Sequence, residues 1–571
     1  MKTRYIVPLL LFCLFACMAC EDDKTEMPRL FRPSFIASSC FAEDNTITLA
    51  WRTSGEATSY TVELSQDATF QSEKLETQTV EHGKCVFTNL RYETKFYARV
   101  RANNESLAIT SNWTEMGSSI STLSRTIPKI LYAVEGSRIS ETSVEIKWVV
   151  SEKNPVDGLA IWEEGTTEER QISLENASAG QYTITGLTPR TTYYVALTNS
   201  AAPEGAEKYN QQRFTTAGMP ADAVVVEDGV DLMGKIKAGM TDASKQALVF
   251  QLKNGVDYYL TEGGEVAAKT GDIKLTKSIA LLANPGERPT LYIREGCFNV
   301  KPESGNMPDI EYFVVDNVNI KETWTESKPS KGSKTRLLNI GKHDAGTDFT
   351  IDRFEITNSD IVLPSAVLMM SDASEGVTTI NHIRIDNCLV SGINTSAVTK
   401  QFGFIHAINK GSNVWNDVSV TNSTFYEFYI SPGVFGAPTA NVPIAAGNKV
   451  VISNCTFYNW GSNKDGKNTY RAVGNFSKLT APLNLSVNNC VFGSSESKVL
   501  DAGGINLSSK GNYCTSDFEK MSDAGLTLIS LDTDDASLFR NIEENDFTVI
   551  DAESVIYKSE YGDPRWITVL D

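Results

Sequence analysis

Residues 418–425 read Val-Ser-Val-Thr-Asn-Ser-Thr-Phe, and the chain repeats this pattern along its second half. Val-Val-Ile-Ser-Asn-Cys-Thr-Phe occupies 450–457, and Leu-Ser-Val-Asn-Asn-Cys-Val-Phe occupies 485–492. Looser copies begin at Phe313 and Ile383. Each copy alternates apolar and polar residues, which predicts a short β-strand, and each is interrupted by one asparagine. These asparagines are Asn317, Asn387, Asn422, Asn454 and Asn489.

The spacing of these asparagines predicts a solenoid. Neighbouring ones are 70, 35, 32 and 35 residues apart. The gap of 70 equals two periods, and its midpoint falls at 349–356, where the strand pattern recurs with Arg353 in place of the asparagine. One strand-turn-strand unit per period of this length is typical of stacked coils.

The asparagine itself favours a parallel β-helix. Asn tolerates the left-handed backbone of a tight bend, and its amide can bond to the same amide one coil away, at ~4.8 Å. The flanking Val, Ile and Phe residues would then fill the inside of the coil. Tandem immunoglobulin-like domains would also give recurrent strands, but they would not place Asn at the same point of every repeat.

The second half of the chain resembles the right-handed β-helix of the pectin-lyase superfamily, and more narrowly the pectate-lyase-like lipoproteins of glycan-degrading gut bacteria. The resemblance is carried by the Asn-Cys-x-Phe repeats, by 279–283 with Pro-Gly-Glu-Arg-Pro at 285–289, and by Gly-Asp-Pro-Arg-Trp at 562–566. It covers about 223–571. It implies the fold more than an activity, because this superfold carries lyases, hydrolases, esterases and adhesins.

The amino-acid composition limits the kinds of partner that the protein is expected to bind. The 571 residues carry a net charge of −19, which argues against nucleic acid and for an extracellular surface. A local basic cleft could still bind an acidic ligand. With only 4 His residues, a His-rich metal site is not expected.

The N-terminus predicts a secretory lipoprotein. Lys2 and Arg4 precede a short apolar run, and Cys17 and Cys20 each follow an alanine. We favour Cys20 as the lipid-modified residue, because acidic residues 21–23 follow it at once. This arrangement resembles lipoproteins sent to the outer face of the bacterial outer membrane. We therefore predict a signal peptide at 1–19 and a tether at 20–33.

Two all-strand domains follow, at 34–125 and 126–217. In the second, 187–193 reads Leu-Thr-Pro-Arg-Thr-Thr-Tyr, after a strand that carries Trp148. This resembles fibronectin type III, where such a run forms a tyrosine corner. The first domain has Phe96 in place of that tyrosine, so its corner should be weaker. We expect both domains to act as spacers.

The predicted fold is therefore all-β: two fibronectin type III-like sandwiches and then a right-handed parallel β-helix at 218–571. Apolar residues at Leu232, Ile236 and Met240 predict a short helix that caps the first coil. Coils should run from Val249 to about Leu507, and 515–571 should cap the other end.

The positions of the cysteines favour a role as buried packing residues over disulfide bonds or metal ligation. Cys388, Cys455 and Cys490 directly follow three of the repeated asparagines, which indicates a column of small buried residues. The alternatives are a metal site, which would need closely spaced pairs, and a disulfide between Cys40 and Cys85. We expect no metal site.

The resemblance also implies where substrate would lie: along one sheet, on the strands that follow the long loops. Here these are 338–342, 404–408 and 471–476. Residues on or just beyond them include Lys342, His343, His406, Lys410 and Arg471.

The loops before two of these strands combine cations and aromatic residues. Aromatic faces stack on sugar rings, and Lys and Arg pair with uronate carboxylates. A solvated polar loop over a packed tryptophan would give the same composition. The predicted glycan-binding residues are Trp324, Lys328, Lys331, Lys334, Arg336, Trp460, Lys464, Lys467 and Tyr470.

A polysaccharide lyase would need a base and a way to neutralise a uronate carboxylate, often with Ca²⁺. His406, Lys410 or Arg471 could supply the base. The three strands contain no Asp or Glu to hold calcium, and the Trp-x-Asp-His signature of pectate lyases is absent. The paired Asp pattern of polygalacturonase-type hydrolases is absent too. A lyase could use Ca²⁺, or it could work without calcium through Lys and Arg; otherwise no cofactor is expected.

The sequence thus favours a surface lipoprotein of the outer membrane that binds an acidic extracellular polysaccharide beside glycan-uptake machinery. The alternatives are a lyase that cleaves a polyuronide by β-elimination, and an adhesin whose β-helix is a structural stalk. Exposed aromatic residues with Lys and Arg would favour binding. A base aligned with carboxylates on one sheet would favour the lyase.

Overall fold

The structure is a computed structural model that describes most of the chain. The described residues are 29–72, 74–265, 270–294, 296–322, 336–364, 367–372, 375–393, 403–408, 412–428, 433–436, 449–460, 470–476, 483–495, 497–503 and 505–570. They form two compact units. The first comprises Met1–Arg125 with Ser200–Glu207, and the second comprises Thr126–Asn199 with Lys208–Asp571.

The first sandwich packs a four-stranded against a six-stranded antiparallel sheet. Trp51 lies in its core, as the sequence predicts, and so does Phe96. Cys40 and Cys85 are free thiols, so the disulfide considered for this domain is not formed. The strands are Ser34–Phe35, Phe41–Glu43, Thr46–Arg52, Ser59–Ser65, Glu76–Val80, Lys84–Phe87, Lys95–Asn104, Ile109–Thr110, Thr114–Glu115 and Ile120–Ser121.

The second sandwich packs a two-stranded against a four-stranded antiparallel sheet. Trp148 is in its core, and the tyrosine corner is formed because the backbone N–H of Thr188 donates to the Tyr193 hydroxyl at 3.0 Å. The strands are Ser143–Lys147, Gly158–Glu163, Glu169–Ser173, Gln181–Thr185, Thr192–Thr198 and Lys208–Thr215.

The rest of the chain forms a parallel β-helix with three sheets, so the all-β architecture is confirmed. Sheet 1 has ten strands: Val224–Val226, Ala247–Leu252, Lys277–Leu282, Asp309–Asp316, Phe349–Thr357, Val377–Asp386, Ser412–Thr421, Lys449–Ser453, Leu483–Asn488 and Ile505–Lys510. Sheet 2 has ten: Asp257–Tyr259, Thr290–Ile293, Asn319–Glu322, Asp360–Val362, Leu389–Ile393, Thr424–Phe428, Thr456–Tyr458, Val491–Phe492, Tyr513–Cys514 and Ile529–Ser530. Sheet 3 has eight: Gly271–Lys274, Gly296–Val300, Arg336–Ile340, Val367–Asp372, Ile405–Ile408, Phe435–Gly436, Arg471–Asn475 and Lys498–Asp501.

The predicted asparagine ladder turns the chain from sheet 1 into sheet 2. Its members have left-handed backbones, with φ between 50° and 59°. Amide-to-amide bonds join Asn387 to Asn358 at 2.8 Å and Asn454 to Asn422 at 3.4 Å. Two other steps differ from the prediction, because Asn358 and Asn422 donate to the carboxylates of Asp316 and Asp386.

Asn358 corrects the predicted register. We expected Arg353 to replace the ladder residue of this coil, but Asn358 occupies the bend with φ 53°. The coil from Asn317 to Asn358 has 41 residues and the next has 29, so halving the gap of 70 misplaced the bend. Unequal loop lengths within successive coils explain the error, since a loop can grow without changing the strands that it joins.

Stacked side chains fill the coil interior, as the repeats predict. The rings of Phe425, Phe457 and Phe492 lie in parallel, with centroids 5.0 and 5.2 Å apart. Cys388, Cys455 and Cys490 are fully buried free thiols that belong to the same core. The prediction that these cysteines serve as small packed residues is confirmed.

The predicted capping helix is present as α1, Leu232–Thr241, and its apolar side packs on the core of the coil. Asp231 caps its N-terminus by accepting from the N–H of Gly234 at 2.8 Å. Two shorter helices, α2 (Asp535–Leu538) and α3 (Val555–Ser559), lie near the C-terminus with an antiparallel strand pair, Phe539–Asn541 and Asp546–Val549. Short 3₁₀ turns occur at Ala37–Ser39, Gly136–Arg138, Ala177–Ala179, Glu262–Gly264, Met521–Asp523, Ile542–Glu544 and Pro564–Trp566.

The C-terminal segment does more than cap the last coil. Phe547 packs on Tyr426 and Tyr458, which lie on two successive strands of sheet 2. Farther along the chain, the carboxylate of Asp563 accepts from the Thr424 hydroxyl at 2.7 Å, and Arg565 donates to the ladder amide of Asn387 at 2.9 Å. The segment therefore runs back along the outside of sheet 2 and reaches the ladder.

Ion pairs join the second sandwich to the β-helix. Arg213 of the sandwich donates to Glu164 at 2.7 Å and pairs with Asp386 of sheet 1 at 3.0 Å. Arg384 pairs with the same Asp386 oxygen at 3.0 Å. Lys129, which is buried, pairs with Glu560 of the C-terminal segment. This domain therefore packs on the ladder side of the β-helix, and its role as a spacer stays a prediction.

Candidate functional site

The outer face of sheet 3 is the candidate site, because all three strands implied by the resemblance lie in this sheet. One row of residues points away from the coil interior, in register from strand to strand. Its position is fixed by alternation, since neighbours such as Leu338, Met369 and Ile405 belong to the core. The row comprises Asn299, Asn339, Met370, His406, Gly436, Asn475 and Asp501.

A cationic cluster closes one end of this row. Arg471 and Lys498 are register partners on neighbouring strands. The Arg471 Nε donates to the Asp501 carboxylate at 2.6 Å, and the Lys498 Nζ lies 3.9 Å from its other oxygen. Two cations thus share one carboxylate, and all three side chains are partly exposed. Tyr470 immediately precedes Arg471 and is half-buried.

Amides and one arginine mark the other end of the row. The Asn339 amide donates to the Asn299 side-chain oxygen at 2.7 Å, and Arg336 donates to the Asn339 oxygen. Arg336 is half-buried on the strand that follows one of the long loops. This end therefore keeps one predicted glycan-binding cation in contact with the amide row.

His406 does not fit the role of catalytic base. Its ring is 1% exposed, and burial together with the charge of Arg336 lowers the pKa of the imidazole to about 3. The backbone N–H of Gly403 donates to His406 Nδ1 at 3.0 Å. The neutral ring then carries its proton on Nε2, so neither nitrogen offers an open lone pair to a substrate.

This placement predicts a titration result. We expect the His406 imidazole signals in an NMR titration to stay unchanged between pH 8 and about pH 4, while an unfolded chain titrates at about 6.5. The unfolded state then takes up a proton that the folded state does not bind. His406 should therefore reduce stability progressively as the pH falls from about 6.5 toward 3. A His406 midpoint near 6.5 in the folded protein would contradict this.

Trp460 does not fit the glycan-binding role that the sequence predicts for it. Its indole is 0% exposed and packs against Phe492 and Phe518, with ring centroids 5.9 and 5.4 Å away. The indole N–H donates to the backbone carbonyl of Lys498 at 2.8 Å. A ring without an exposed face cannot stack on a sugar, so Trp460 supports the cationic strand from below instead.

The structure describes some of the remaining predicted site residues, and the others lie outside the described ranges. Lys342 is exposed and pairs with Glu375 at 3.3 Å. The His343 ring is buried and bonded through both nitrogens, to the Thr347 carbonyl at 2.6 Å and the Thr378 hydroxyl at 2.7 Å. Outside the described residues lie Lys410, Trp324, Lys328, Lys331, Lys334, Lys464 and Lys467, together with Cys20 and the rest of the predicted signal segment.

Sequence reasoning did not select Asn299, Asn339, Lys498 or Asp501. For Asn299 and Asn339 the signal was the period-2 alternation of the strand. Lys498 and Asp501 flank the buried pair Val499 and Leu500, where the register shifts, so alternation does not select both. Using that signal requires the sheet register, which the unequal coil lengths hide. Among the described residues, no group of three or more His, Cys, Asp or Glu side chains is placed to hold a metal ion. In that same part of the chain, no helix is both long and apolar enough to cross a membrane.

Comparison with known proteins adds the following. Residues 450–566 match a family model described as a domain of unknown function, DUF5123. None of the curated proteins that were compared matches the chain. The FN1–FN3 domains of chicken CNTN1 match at 16% identity and a TM-score of 0.15, covering 34% of this chain and 69% of that one. A two-domain fibronectin type III segment of chicken tenascin matches at 16% identity and a TM-score of 0.19, covering 33% and 100%.

Proposed function

We propose that this protein is a surface-exposed lipoprotein that binds an acidic extracellular polysaccharide along the outer face of sheet 3. The observation that carries the proposal is the partly exposed Arg471–Lys498 pair, whose two cationic groups lie around the Asp501 carboxylate. A uronate carboxylate that approaches this end of the row could accept hydrogen bonds from either group.

The two ends of the row are far enough apart for a polymer to contact both. Six strand-to-strand steps separate the strand of Asn299 from that of Asp501, which is roughly 29 Å at ~4.8 Å per step. Met370, His406 and Gly436 in the middle of the row are buried, so the sugar contacts would be made at its ends. The amides of Asn299 and Asn339 offer both donors and acceptors to hydroxyl groups, and Tyr470 lies next to the cations.

Binding is favoured over β-elimination by the state of the candidate bases. His406 is neutral, buried and bonded at Nδ1. Arg471 donates to Asp501, and a guanidinium has hydrogen-bond donors but no acceptor. Polyuronide cleavage would be detected in a separate assay, as the ultraviolet absorbance of an unsaturated product measured with and without Ca²⁺.

The cellular setting is part of the proposal. Acylation at Cys20 would anchor the mature chain to the outer face of the outer membrane, beside glycan-uptake machinery. The net charge of −19 makes a local cationic cluster the place where an acidic chain would approach. A structural stalk would have no use for that cluster, so loss of the cluster separates the two functions.

We expect the double variant Arg471→Ala/Lys498→Ala to lose retention on polyuronide affinity gels. Removing both cations leaves Asp501 as an unpaired negative charge, which should weaken binding about tenfold or more. The matched control is Arg353→Ala, which removes a partly exposed cation from sheet 1. It should leave retention unchanged. Equal retention by the double variant and the parent would contradict the proposed face.

A further inference from the structure

A small polar cavity lies where the second sandwich meets the asparagine ladder. Its volume is about 190 Å³, and its lining includes Arg190 and Arg213 of the sandwich with Arg288, Asp316, Asn317 and Asn358 of the β-helix. We propose that this cavity binds one hexuronate ring, such as the end or a branch residue of an acidic glycan, with Arg190 as the carboxylate-binding residue. The ligand class is that of the proposed function, but the site and its residues are separate.

Arg190 is the available cation of the cavity. Its guanidinium lies 3.9 Å from the Asp316 carboxylate and 4.0 Å from the Met219 sulfur. Among the described residues it has no oxygen acceptor within hydrogen-bonding distance. The side chain is 33% exposed, so the cavity opens to solvent on this side. A buried or half-buried guanidinium favours a planar oxyanion, and a carboxylate fits that need.

The backbone of Arg190 supports this assignment. Its φ is +55°, a left-handed conformation that glycine adopts readily and a long side chain does not. The equivalent turn of the first sandwich places Glu93 at φ +48°. The geometry of the turn therefore does not require arginine. An unfavoured residue in a tight turn is a reason to look for a role of its side chain.

The other two arginines are already neutralised. Arg213 pairs with Glu164 and Asp386, and the Arg288 Nη1 donates to Asp360 at 2.7 Å. Of the three arginines, Arg190 has the longest ion pair, at 3.9 Å from the Asp316 carboxylate. A ligand carboxylate would therefore seat at Arg190.

Two polar side chains also line this space. Asn317 is one of them, and its amide nitrogen donates to the Asn284 carbonyl. One oxygen of Asp316 accepts from Thr357 and Asn358 at 2.6 and 2.8 Å, and its second oxygen is the one that lies 3.9 Å from Arg190. Hydroxyl groups next to a carboxylate would donate to these oxygens. A uronic acid carries both kinds of group on one ring.

The cavity has room for one ring. Its volume of about 190 Å³ is many times the ~10–15 Å³ that one water requires by the same measure. One sugar ring is of that size, whereas a disaccharide is about twice as large. The cavity would therefore take a chain end or a branch, and the polymer itself would lie elsewhere.

The test uses galacturonate and glucuronate as probes, with galactose and glucose as neutral controls, on the mature chain. Saturation-transfer NMR and calorimetry should show binding of a uronate and weaker binding of the neutral sugars. Arg190→Gly should reduce uronate affinity about tenfold or more, because a charged hydrogen bond is lost. Arg190→Lys should retain part of the affinity.

The matched control is Glu93→Gly. It makes the same glycine replacement at a left-handed turn of the first sandwich, and it should leave uronate binding unchanged. Both glycine variants suit their backbone, so both should fold, as monitored by thermal denaturation. Absence of uronate binding to the parent, equal binding of neutral sugars, or full binding by Arg190→Gly would each overturn the inference. Polymer retention is read separately with the Arg471→Ala/Lys498→Ala variant, so failure of one site is distinguishable from failure of the other.

Discussion

Replacing Asp386 with alanine is expected to lower the free energy of unfolding of the second compact unit by about 3–5 kcal/mol. Asp386 is 1% exposed and joins Arg213 of the sandwich to Arg384 of the β-helix. It also accepts from the Thr421 hydroxyl at 2.7 Å and the Asn422 amide at 2.8 Å. Its removal leaves two close guanidinium groups without their shared carboxylate.

The measurement is calorimetric unfolding of the parent and two variants. Asp352→Ala is the control, because Asp352 lies on the preceding strand of sheet 1 and accepts one exposed bond from Asn381. That change should alter the stability by no more than about 0.5 kcal/mol. If Asp386→Ala and Asp352→Ala unfold alike, the charged junction does not hold the sandwich on the β-helix.

The same junction predicts an acid-sensitive interface. Burial raises the pKa of Asp386, but the charges of Arg213 and Arg384 and two hydrogen bonds outweigh it, so the pKa lies below its ordinary 3.8. In the same way, burial of Glu164 is outweighed by its bond to Arg213, and its pKa lies below 4.5. Both groups therefore contribute stability that is present above these ordinary values and is lost as the pH falls through the lowered ones. In Asp386→Ala this acid slope should become shallower.

Replacing Trp460 with alanine is expected to destabilise the C-terminal coils by about 3–5 kcal/mol. The change empties an indole-sized space beside Phe492 and Phe518 and removes the hydrogen bond to the Lys498 carbonyl. Trp460→Phe should cost less, because a ring still fills most of the space while the N–H is lost. Calorimetry or urea unfolding measures both.

This second prediction separates a packing role from a binding role. If Trp460→Ala left stability unchanged and abolished glycan retention, the indole would have to be available to sugar after all. A loss of stability that Trp460→Phe largely restores would agree with its buried position. Retention by Trp460→Phe should equal that of the parent, since the Arg471–Lys498 pair is untouched.

The ladder and the core were predictable because their signals are local. An asparagine in a left-handed bend and a phenylalanine three residues later repeat in the sequence at nearly constant spacing, and the structure places both as expected. Asn358 was not predicted because the coil that ends at it is longer than the next coil. The spacing between Asn317 and Asn387 gives only the combined length of the two coils and does not show where the bend between them lies.

The site was predictable only in part. The three strands that the resemblance implied all lie in sheet 3, and Arg471 is on one of them, but their role as a binding site stays a prediction. Alternation shows which side chains leave the coil interior, but it does not show which of those remain exposed, so His406 and Trp460 were selected although both are buried. The junction could not be predicted, because Glu164, Arg213 and Asp386 are far apart in the sequence and none has a local signature.

The most direct test of the central claim is affinity-gel electrophoresis of the mature chain against polyuronides and matched neutral glycans. The account predicts retardation by at least one polyuronide, no retardation by its neutral counterpart, weaker retardation at high salt, and loss of the effect in Arg471→Ala/Lys498→Ala. Retardation that is unchanged in that double variant, or that is equal in neutral glycans, would contradict binding of an acidic polysaccharide by the outer face of sheet 3.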